Sequence, residues 1–180
     1  MKLFWKNGYD GTALADILTA TGLAKGSIYK AFKSKYNLYL ESLSRYEEIH
    51  VDAAVRDLLS EAPALTRIDN FLSSPIKDSD GASPSRGCFL CNASADPAVS
   101  DPKALSLVQR GFNKLAVALK QAIAEMKPDW NDDRTSQVAE SLLAIYSGLR
   151  VMSRSGVKLE RLEAAKAGGL LQLRHPDLEI

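Results

Sequence analysis

The stretch TGLAKGSIYKAFKSK (residues 21–35) carries four lysines and no acidic residue within its last eleven positions. Two apolar residues, Ile28 and Phe32, stand among those lysines four positions apart, which is the spacing of one face of an α-helix. The pattern predicts a short helix over about residues 25–32 with one apolar side and one basic side.

A second short helix is predicted immediately before it, in TALADILTATG (residues 12–22). Three of its apolar residues fall on one face: Leu14, Ile17 and Leu18. Thr12 is suited to cap the start of this helix, and Gly22 is suited to end it. Two short helices joined by a tight glycine-containing turn form a helix-turn-helix.

Helical spacing of apolar residues continues along nearly the whole chain, and no segment shows the convincing alternation of a strand. Ser34 is suited to cap a helix that begins at Lys35 and reaches about residue 60. Asp101 and Pro102 are suited to begin another. Further helices are predicted over about 61–72, 88–94, 102–126, 134–154 and 158–173, and a loop over 73–86. The sequence therefore predicts an all-α protein.

Composition narrows the class of protein. Of the 180 residues, 46% are apolar and 25% are charged, which is ordinary for a globular chain. The apolar residues never form the continuous run that a membrane span needs, so we expect a soluble, cytoplasmic protein with no membrane partner. The net charge is only +1, but residues 1–48 carry seven lysines and arginines against five acidic residues. This local excess of positive charge favours a polyanionic partner.

In a helix-turn-helix, the second helix enters the DNA major groove and its first residues meet base edges. A lysine-rich helix is otherwise simply a solvated face. In the second predicted helix, lysines can contact phosphates or bases, and Gly26 allows the backbone to approach closely. The hydroxyls of Ser27 and Tyr29 can form hydrogen bonds. The candidates in and next to the second helix are Lys25, Gly26, Ser27, Tyr29, Lys30 and Lys35.

The segment from Phe4 to Leu38, FWKNGYDGTALADILTATGLAKGSIYKAFKSKYNL, resembles the N-terminal domain of the TetR/AcrR family of transcriptional regulators. The resemblance implies a homodimer with a helix-turn-helix DNA-binding domain over residues 1–46 and a ligand-binding and dimerisation domain over residues 47–180. Such proteins typically repress genes and leave a palindromic, double-stranded operator when a small-molecule effector binds.

The resemblance also implies roles for single residues. Four match phosphate-contacting positions: Thr12, Lys25, Tyr29 and Lys35. Ser27 and Lys30 match positions that commonly face bases. Four others match the core of the DNA-binding domain: Ile17, Leu23, Ile28 and Phe32.

The sequence departs from the family pattern in two places. Ala24 stands where the family usually has a capping Ser or Thr, and the missing cap should cost about 0.5–2 kcal/mol of local helix stability. Family members also carry a longer segment before the Phe4 position. Either the assigned start is wrong, or residues were removed, or the first helix is truncated; in the last case we expect a loosened DNA-binding domain and weak binding.

Residues of the second domain combine apolar walls with a few polar anchors, as effector chambers do. The candidates are Phe71, Phe89, Asn92, Phe112, Tyr146 and Arg150, although residues of these types are more often ordinary core than ligand contacts. The last two helices carry apolar stripes that suit a two-fold homodimer interface. The alternative is that these stripes line the core of one subunit.

Cys88 and Cys91 form a C-x-x-C, which allows a redox-responsive regulator or a thiol oxidoreductase as an alternative function. Cysteines in an apolar helix are also often simply buried. A zinc site would need His50 and His175 from distant segments, so no metal is expected. The sequence contains no other recognisable catalytic set, so we expect neither an enzyme nor a cofactor. A helical adaptor that binds only proteins is the third class.

Overall fold

The computed structural model describes residues 1–77 and 86–174, and every regular element within these ranges is helical. We call residues 1–46 the head and the rest of the described chain the body. The head contains α1 (Lys2–Asn7), α2 (Leu14–Thr21), α3 (Lys25–Phe32) and α4 (Lys35–Tyr46). The body contains a π turn (Glu47–Val51), α5 (Asp52–Leu58), α6 (Ala64–Lys77), α7 (Phe89–Ser94), a 3₁₀ turn (Pro97–Ser100), α8 (Pro102–Met126), α9 (Asp132–Arg154) and α10 (Leu159–Leu171). The expected all-α fold is confirmed.

Local signals set most helix ends in the head. Gly22 adopts a left-handed conformation (φ 66°, ψ 11°) that ends α2, as predicted. The Oγ of Ser34 accepts a hydrogen bond from the backbone N of Asn37 at 3.0 Å, which confirms its predicted cap. The cap predicted for Thr12 is wrong. Ala13 occupies the N-cap of α2, and its backbone N donates to Asp16 Oδ2 at 2.9 Å.

The core of the head joins the four helices around aromatic side chains. Phe4 of α1 packs edge-on against Tyr39 of α4, with ring centroids 5.4 Å apart, and Ile17 and Ile28 are buried beside them. The core position predicted for Leu23 is wrong, because this residue lies in the turn between α2 and α3 and is 48% exposed. The head core therefore holds α3 through Ile28.

The body is built around its two longest helices, α8 and α9, which pack against each other. Helix α6 packs on both, and α10 packs on α9 and α6. Asp101 caps α8 by accepting a hydrogen bond from the backbone N of Lys103 at 2.8 Å, with Pro102 at the first helical position, as predicted. The facing apolar residues of these helices are buried: Leu115, Leu119, Ile123, Leu142 and Leu143.

The loop predicted over residues 73–86 is wrong for its first part. Helix α6 continues to Lys77 with Pro75 inside it, and Ser73 and Ile76 are buried. Ile76 belongs to a small apolar cluster with Leu149 and Leu162, so burial overcomes the weak helix preference of this stretch. Residues 78–85 lie outside the described ranges.

The π turn between α4 and α5 contains a buried carboxylate. Glu47 accepts hydrogen bonds from Arg110, the shortest at 2.6 Å, and lies 2.7 Å from the Nζ of Lys114. Lys114 also pairs with Asp52 at 2.7 Å. Burial alone would raise the pKa of Glu47, but the hydrogen bonds from Arg110 and Lys114 outweigh it and hold this pKa below its ordinary value. The cluster ties the end of α4 to α8.

We expect Glu47→Gln to lower the free energy of unfolding at neutral pH by about 1–2 kcal/mol, a modest value because Arg110 and Lys114 are partly exposed. A lowered pKa in the folded state stabilises it above the ordinary carboxyl pKa, and this contribution disappears as pH falls through the lowered pKa. The difference between the two proteins should therefore shrink below about pH 4.5. Urea unfolding from pH 7 to pH 3 measures it, with Glu48→Gln at an exposed surface pair as the control. A pH-independent difference would contradict the role of this pair.

Candidate nucleic-acid interface and effector chamber

Helices α2 and α3 are joined by only three residues, Gly22 to Ala24, and form a helix-turn-helix. Ala24 occupies the N-cap of α3 and has no side-chain oxygen or nitrogen to bond the free backbone amides of the first turn. The first turn of α3 therefore presents backbone N–H groups whose usual side-chain partner is missing, as the sequence indicated.

The side of α3 opposite Ile28 is exposed and basic. Lys25, Ser27, Tyr29 and Lys30 are all exposed, and the Nζ of Lys25 lies 5.9 Å from the centroid of the Tyr29 ring. The helix contains no acidic residue. Positive charge with no opposite charge on its own helix attracts a polyanion, so this face has the electrostatic character of a phosphate-binding surface.

Gly26 contributes space to the same face. A Cβ added at this position would meet no atom of the described chain within 4 Å, and Gly26 is not among the residues with positive φ. Neither internal packing nor backbone conformation therefore requires glycine here. The absent side chain allows the backbone of α3 to approach an external surface closely.

Two of the residues expected to contact phosphate, Thr12 and Lys35, make internal hydrogen bonds. Thr12 is fully buried and its hydroxyl donates to Gly8 O at 2.7 Å, so the predicted phosphate contact is not available to it. The Nζ of Lys35 donates to Tyr9 O and to Thr12 O, both at 3.0 Å, and lies 4.1 Å from the centroid of the Tyr9 ring. Lys35 remains partly exposed, so its phosphate contact stays a prediction.

Three of the six chamber candidates lie together between α6 and α9. The rings of Phe71 and Tyr146 are stacked, with centroids 4.1 Å apart. Arg150 donates from Nε to the Tyr146 hydroxyl at 3.0 Å and from a terminal nitrogen to Ser74 Oγ at 3.0 Å. Burial raises the pKa of Tyr146 to about 12, although the charge of Arg150 acts in the opposite direction. These groups form a buried stack with a charged anchor.

A cavity of about 460 Å³ opens beside this stack, within the size range of small-molecule sites. Phe71 and Ser74 line it together with Arg67, whose guanidinium donates to Leu58 O at 2.7 Å and pairs with Glu125. Sequence reasoning missed Arg67 and Ser74. Their spacing was the available signal for a site, since residues 67, 71 and 74 lie on one face of α6. This spacing places the charged Arg67 on the same face as the apolar Phe71.

The other chamber candidates lie elsewhere. Phe89 is fully buried between Tyr39 and Tyr46, with centroid distances of 6.0 and 5.6 Å, and belongs to the core where head and body meet. Asn92 donates to Trp5 O at 2.9 Å. Phe112 is a partly buried member of the large core. The structure therefore brings three of the six candidates together in the stack and gives Phe89, Asn92 and Phe112 other contacts.

One attachment of the head to the body is formed by α1 and α7, and we call this region the junction. Besides the Asn92 contact, Trp5 Nε1 donates to Gly87 O at 3.2 Å. The carboxylate of Asp96 accepts from the backbone N of Tyr9 at 2.6 Å. Trp5 also packs edge-on against Tyr46 of α4, with centroids 4.9 Å apart. These contacts connect the first helix of the head to α7 and to the segment that follows it.

The two cysteines lie next to the junction. Cys88 is buried and Cys91 is partly buried, and Tyr46 donates from its hydroxyl to Cys88 Sγ at 3.4 Å. His50 packs instead on the rings of Trp5 and Tyr46. Among residues 1–77 and 86–174, no group of three or more His, Cys, Asp or Glu side chains is placed to hold a metal ion. His175 lies outside these ranges. Within the same ranges no helix is both long enough and apolar enough to cross a bilayer.

Comparison with known proteins shows similarity to bacterial transcriptional regulators. The family model described as bacterial regulatory proteins, tetR family, matches residues 1–41. The HTH-type transcriptional repressor ComR of Escherichia coli (strain K12) is 29% identical over 182 residues, which cover 90% of this chain and 79% of ComR. The similarity to ComR therefore extends through both head and body.

Two solved structures have closely similar folds. The reduced form of E. coli NemR superposes with a TM-score of 0.81 at 23% identity, covering 93% of this chain and 89% of NemR. A cysteine mutant of the regulator CifR in complex with 26-bp double-strand operator DNA gives a TM-score of 0.80 at 22% identity. That match covers 94% of this chain and 90% of CifR. Head and body together share the fold of these proteins.

Proposed function

We propose that this chain, as a member of the TetR family of bacterial regulatory proteins, is a transcriptional repressor. It binds operator DNA through α3. The single observation that carries the proposal is the exposed side of α3, which bears Lys25, Ser27, Tyr29 and Lys30 opposite the buried Ile28. TetR proteins form a family of regulators and not of enzymes, and we propose no catalytic activity for this chain.

In this proposal α3 lies in the major groove with its N-terminal residues toward the bases. Ser27 and Lys30 face base edges and supply sequence choice, while Lys25 and Tyr29 contact phosphates and fix the orientation of the helix. Gly26 allows the backbone to lie close to the DNA, and the uncapped amides after Ala24 are directed toward the phosphates.

We further propose that residues 1–46 form the DNA-binding domain and residues 47–180 the effector and dimerisation domain of a cytoplasmic homodimer. Helices α9 and α10 are the proposed interface, because both expose small and apolar residues that allow close helix packing. Five of these residues are exposed, Ala144, Val151, Ala164, Gly168 and Leu171, and Gly148 is partly exposed. A two-fold dimer with its α3 helices about 34 Å apart meets two successive major grooves of a palindromic operator.

The proposed effector site is the cavity lined by Phe71 and Ser74. A small molecule there would contact Ser74, which accepts a hydrogen bond from Arg150, and Phe71, which stacks on Tyr146. Displacement of Arg150 would change the surroundings of the junction, since α9 also bonds α1 through Arg154 and Lys6 O at 3.0 Å. Release of DNA then follows from the altered position of the head.

Selection of bound duplexes from a random DNA pool by the full-length protein tests this proposal. We expect enrichment of a palindrome with half-site centres one helical turn apart, and affinity that falls steeply with salt. Gel shift of the selected duplex between about 50 and 200 mM salt provides the slope. A helical adaptor that binds only proteins would enrich no sequence and show no such slope, and that result would overturn the proposal.

A further inference from the structure

Cys88 and Cys91 are held side by side at the start of α7. Cys88 is the N-cap of this helix and Cys91 is its third residue, an arrangement that puts the two side chains on the same side of the first turn. Side chains three residues apart at the start of a helix are neighbours, so the two thiol groups stand next to each other. The pair is therefore already arranged for a reaction between the two sulfur atoms.

Groups from two further helices surround the pair. On the α4 side, Tyr46 donates a hydrogen bond to Cys88 Sγ at 3.4 Å. On the α9 side, Ser147 and the charge of Arg150 act to lower the pKa of Cys91, and the charge of Arg150 also acts to lower the pKa of Cys88. The two thiols thus lie where α4, α7 and α9 meet.

The environment makes the two cysteines chemically unequal. The hydrogen bond from Cys91, helped by the one from Tyr46, lowers the pKa of Cys88 although burial opposes this. The same hydrogen bond, together with burial, raises the pKa of Cys91. Cys88 therefore has the greater thiolate character, and Cys91 keeps its proton beside it.

We propose that Cys88 and Cys91 form a reversible dithiol–disulfide switch that is oxidised by a peroxide and weakens operator binding. This inference adds a mode of regulation to the proposed repressor, and its DNA-binding part rests on that proposed function. Cys91 is partly exposed and Cys88 is buried, so a small oxidant has to pass Cys91 to reach the Cys88 sulfur.

The reaction balances with hydrogen peroxide as the oxidant. The Cys88 thiolate attacks one peroxide oxygen, so that an S–O bond forms, the O–O bond breaks and the hydroxide that leaves takes up a proton to become water. Cys91 Sγ then attacks the resulting sulfenic sulfur, an S–S bond forms, the S–O bond breaks, and the proton of Cys91 leaves with the second water. Two electrons pass from sulfur to peroxide, and a dithiol reductant reverses the change.

Oxidation changes the contacts that hold the head. A disulfide removes the thiolate that accepts from the Tyr46 hydroxyl, and the new S–S bond changes the side-chain positions of Cys88 and Cys91 in the first turn of α7. The residues on both sides of Cys88 and Cys91 hold Trp5: Gly87 O accepts from its indole, and the Asn92 amide donates to its carbonyl. A shift of the first turn of α7 therefore moves α1, and the head loses the orientation that suits the operator.

The test treats the folded full-length protein with peroxide and counts free thiols after denaturation. We expect the loss of two thiols per chain and, by mass spectrometry, a mass lower by two hydrogen atoms. On a non-reducing denaturing gel the oxidised chain should run as a monomer. Operator affinity should fall at least about tenfold, and dithiothreitol should restore both the thiols and the affinity. The tenfold loss corresponds to about 1.4 kcal/mol of binding free energy.

Two variants separate the role of each group. Cys91→Ser keeps DNA binding in the reduced state but shows no reversible loss of two thiols. Tyr46→Phe keeps the buried ring and removes only the hydroxyl, so oxidation of Cys88 at neutral pH should slow by about two- to tenfold. An unchanged rate would contradict the assigned role of Tyr46.

Three outcomes would overturn the inference: two free thiols that persist in the folded protein, disulfides only between chains, or an internal disulfide with unchanged operator affinity. A reduced protein that binds no duplex at all would count against the proposed repressor instead. The thiol count in the same sample still decides whether the cysteine pair is a redox couple, so the two failures are distinguishable.

Discussion

Replacing Lys30 by alanine is expected to weaken binding to the selected operator by about 10- to 100-fold and to relax base choice at one position of each half-site. Lys30 is exposed on α3, and the residue that fixes this helix to the head, Ile28, is untouched by the change. The loss therefore reflects a missing DNA contact and not an unfolded head. Titration of a fluorescent duplex measures the affinity, and a repeated selection with the variant measures the base choice.

Two control variants make the result specific. Lys25→Ala should weaken binding to all duplexes about equally and reduce the slope of affinity against salt by about one, as expected for loss of a phosphate contact. Lys120→Ala removes a lysine of α8 that pairs with Asp132 in the body, and should leave affinity unchanged. If Lys30→Ala selected the same sequence with equal affinity, the assignment of Lys30 to a base edge would be wrong.

Replacing Phe89 by alanine should cost about 3–5 kcal/mol of unfolding free energy, the largest stability loss that we expect from a single substitution here. Phe89 is fully buried and packs edge-on against Tyr39 and Tyr46, so its removal leaves a cavity among rigid aromatic rings. Thermal and urea unfolding measure the loss, which corresponds to a melting temperature lower by roughly 10 °C.

The comparison with Phe89→Leu separates volume from ring packing, since leucine keeps most of the apolar volume and should recover part of the lost stability. Val117→Ala is the surface control, because Val117 is 66% exposed and its truncation should change stability by less than about 0.5 kcal/mol. Full stability of Phe89→Ala would contradict the role of this side chain in the core between head and body.

Features that depend on neighbours in the sequence were predictable. The stop at Gly22 and the caps at Ser34 and Asp101 follow from backbone conformation and from amides within three residues, so the sequence contains all the information they need. The basic, exposed side of α3 was predictable for the same reason, because Ile28 and the lysines are positioned by one helix.

Features that depend on long-range packing were not predictable in this way. Thr12 is suited to a cap but is buried, with its hydroxyl directed to Gly8 O. Ser74 stands in a polar stretch that resembles a loop, yet the packing of Ile76 on Leu149 and Leu162 keeps that stretch helical and places Ser74 beside Arg150. Both depend on partners distant in the chain or on burial in the assembled fold.

Because the π turn at Glu47–Val51 connects α4 directly to α5, head and body are joined by continuous helical structure and not by a flexible linker. Each residue added to or removed from a helix turns everything beyond it by about 100° and moves it by about 1.5 Å. The salt-bridged Glu47 fixes that winding against α8. A chimera that places another family member's head on this body must therefore keep the same number of helical residues up to residue 47. An error of one residue would rotate the head, and the two α3 helices of the dimer would no longer face the same side of the double helix.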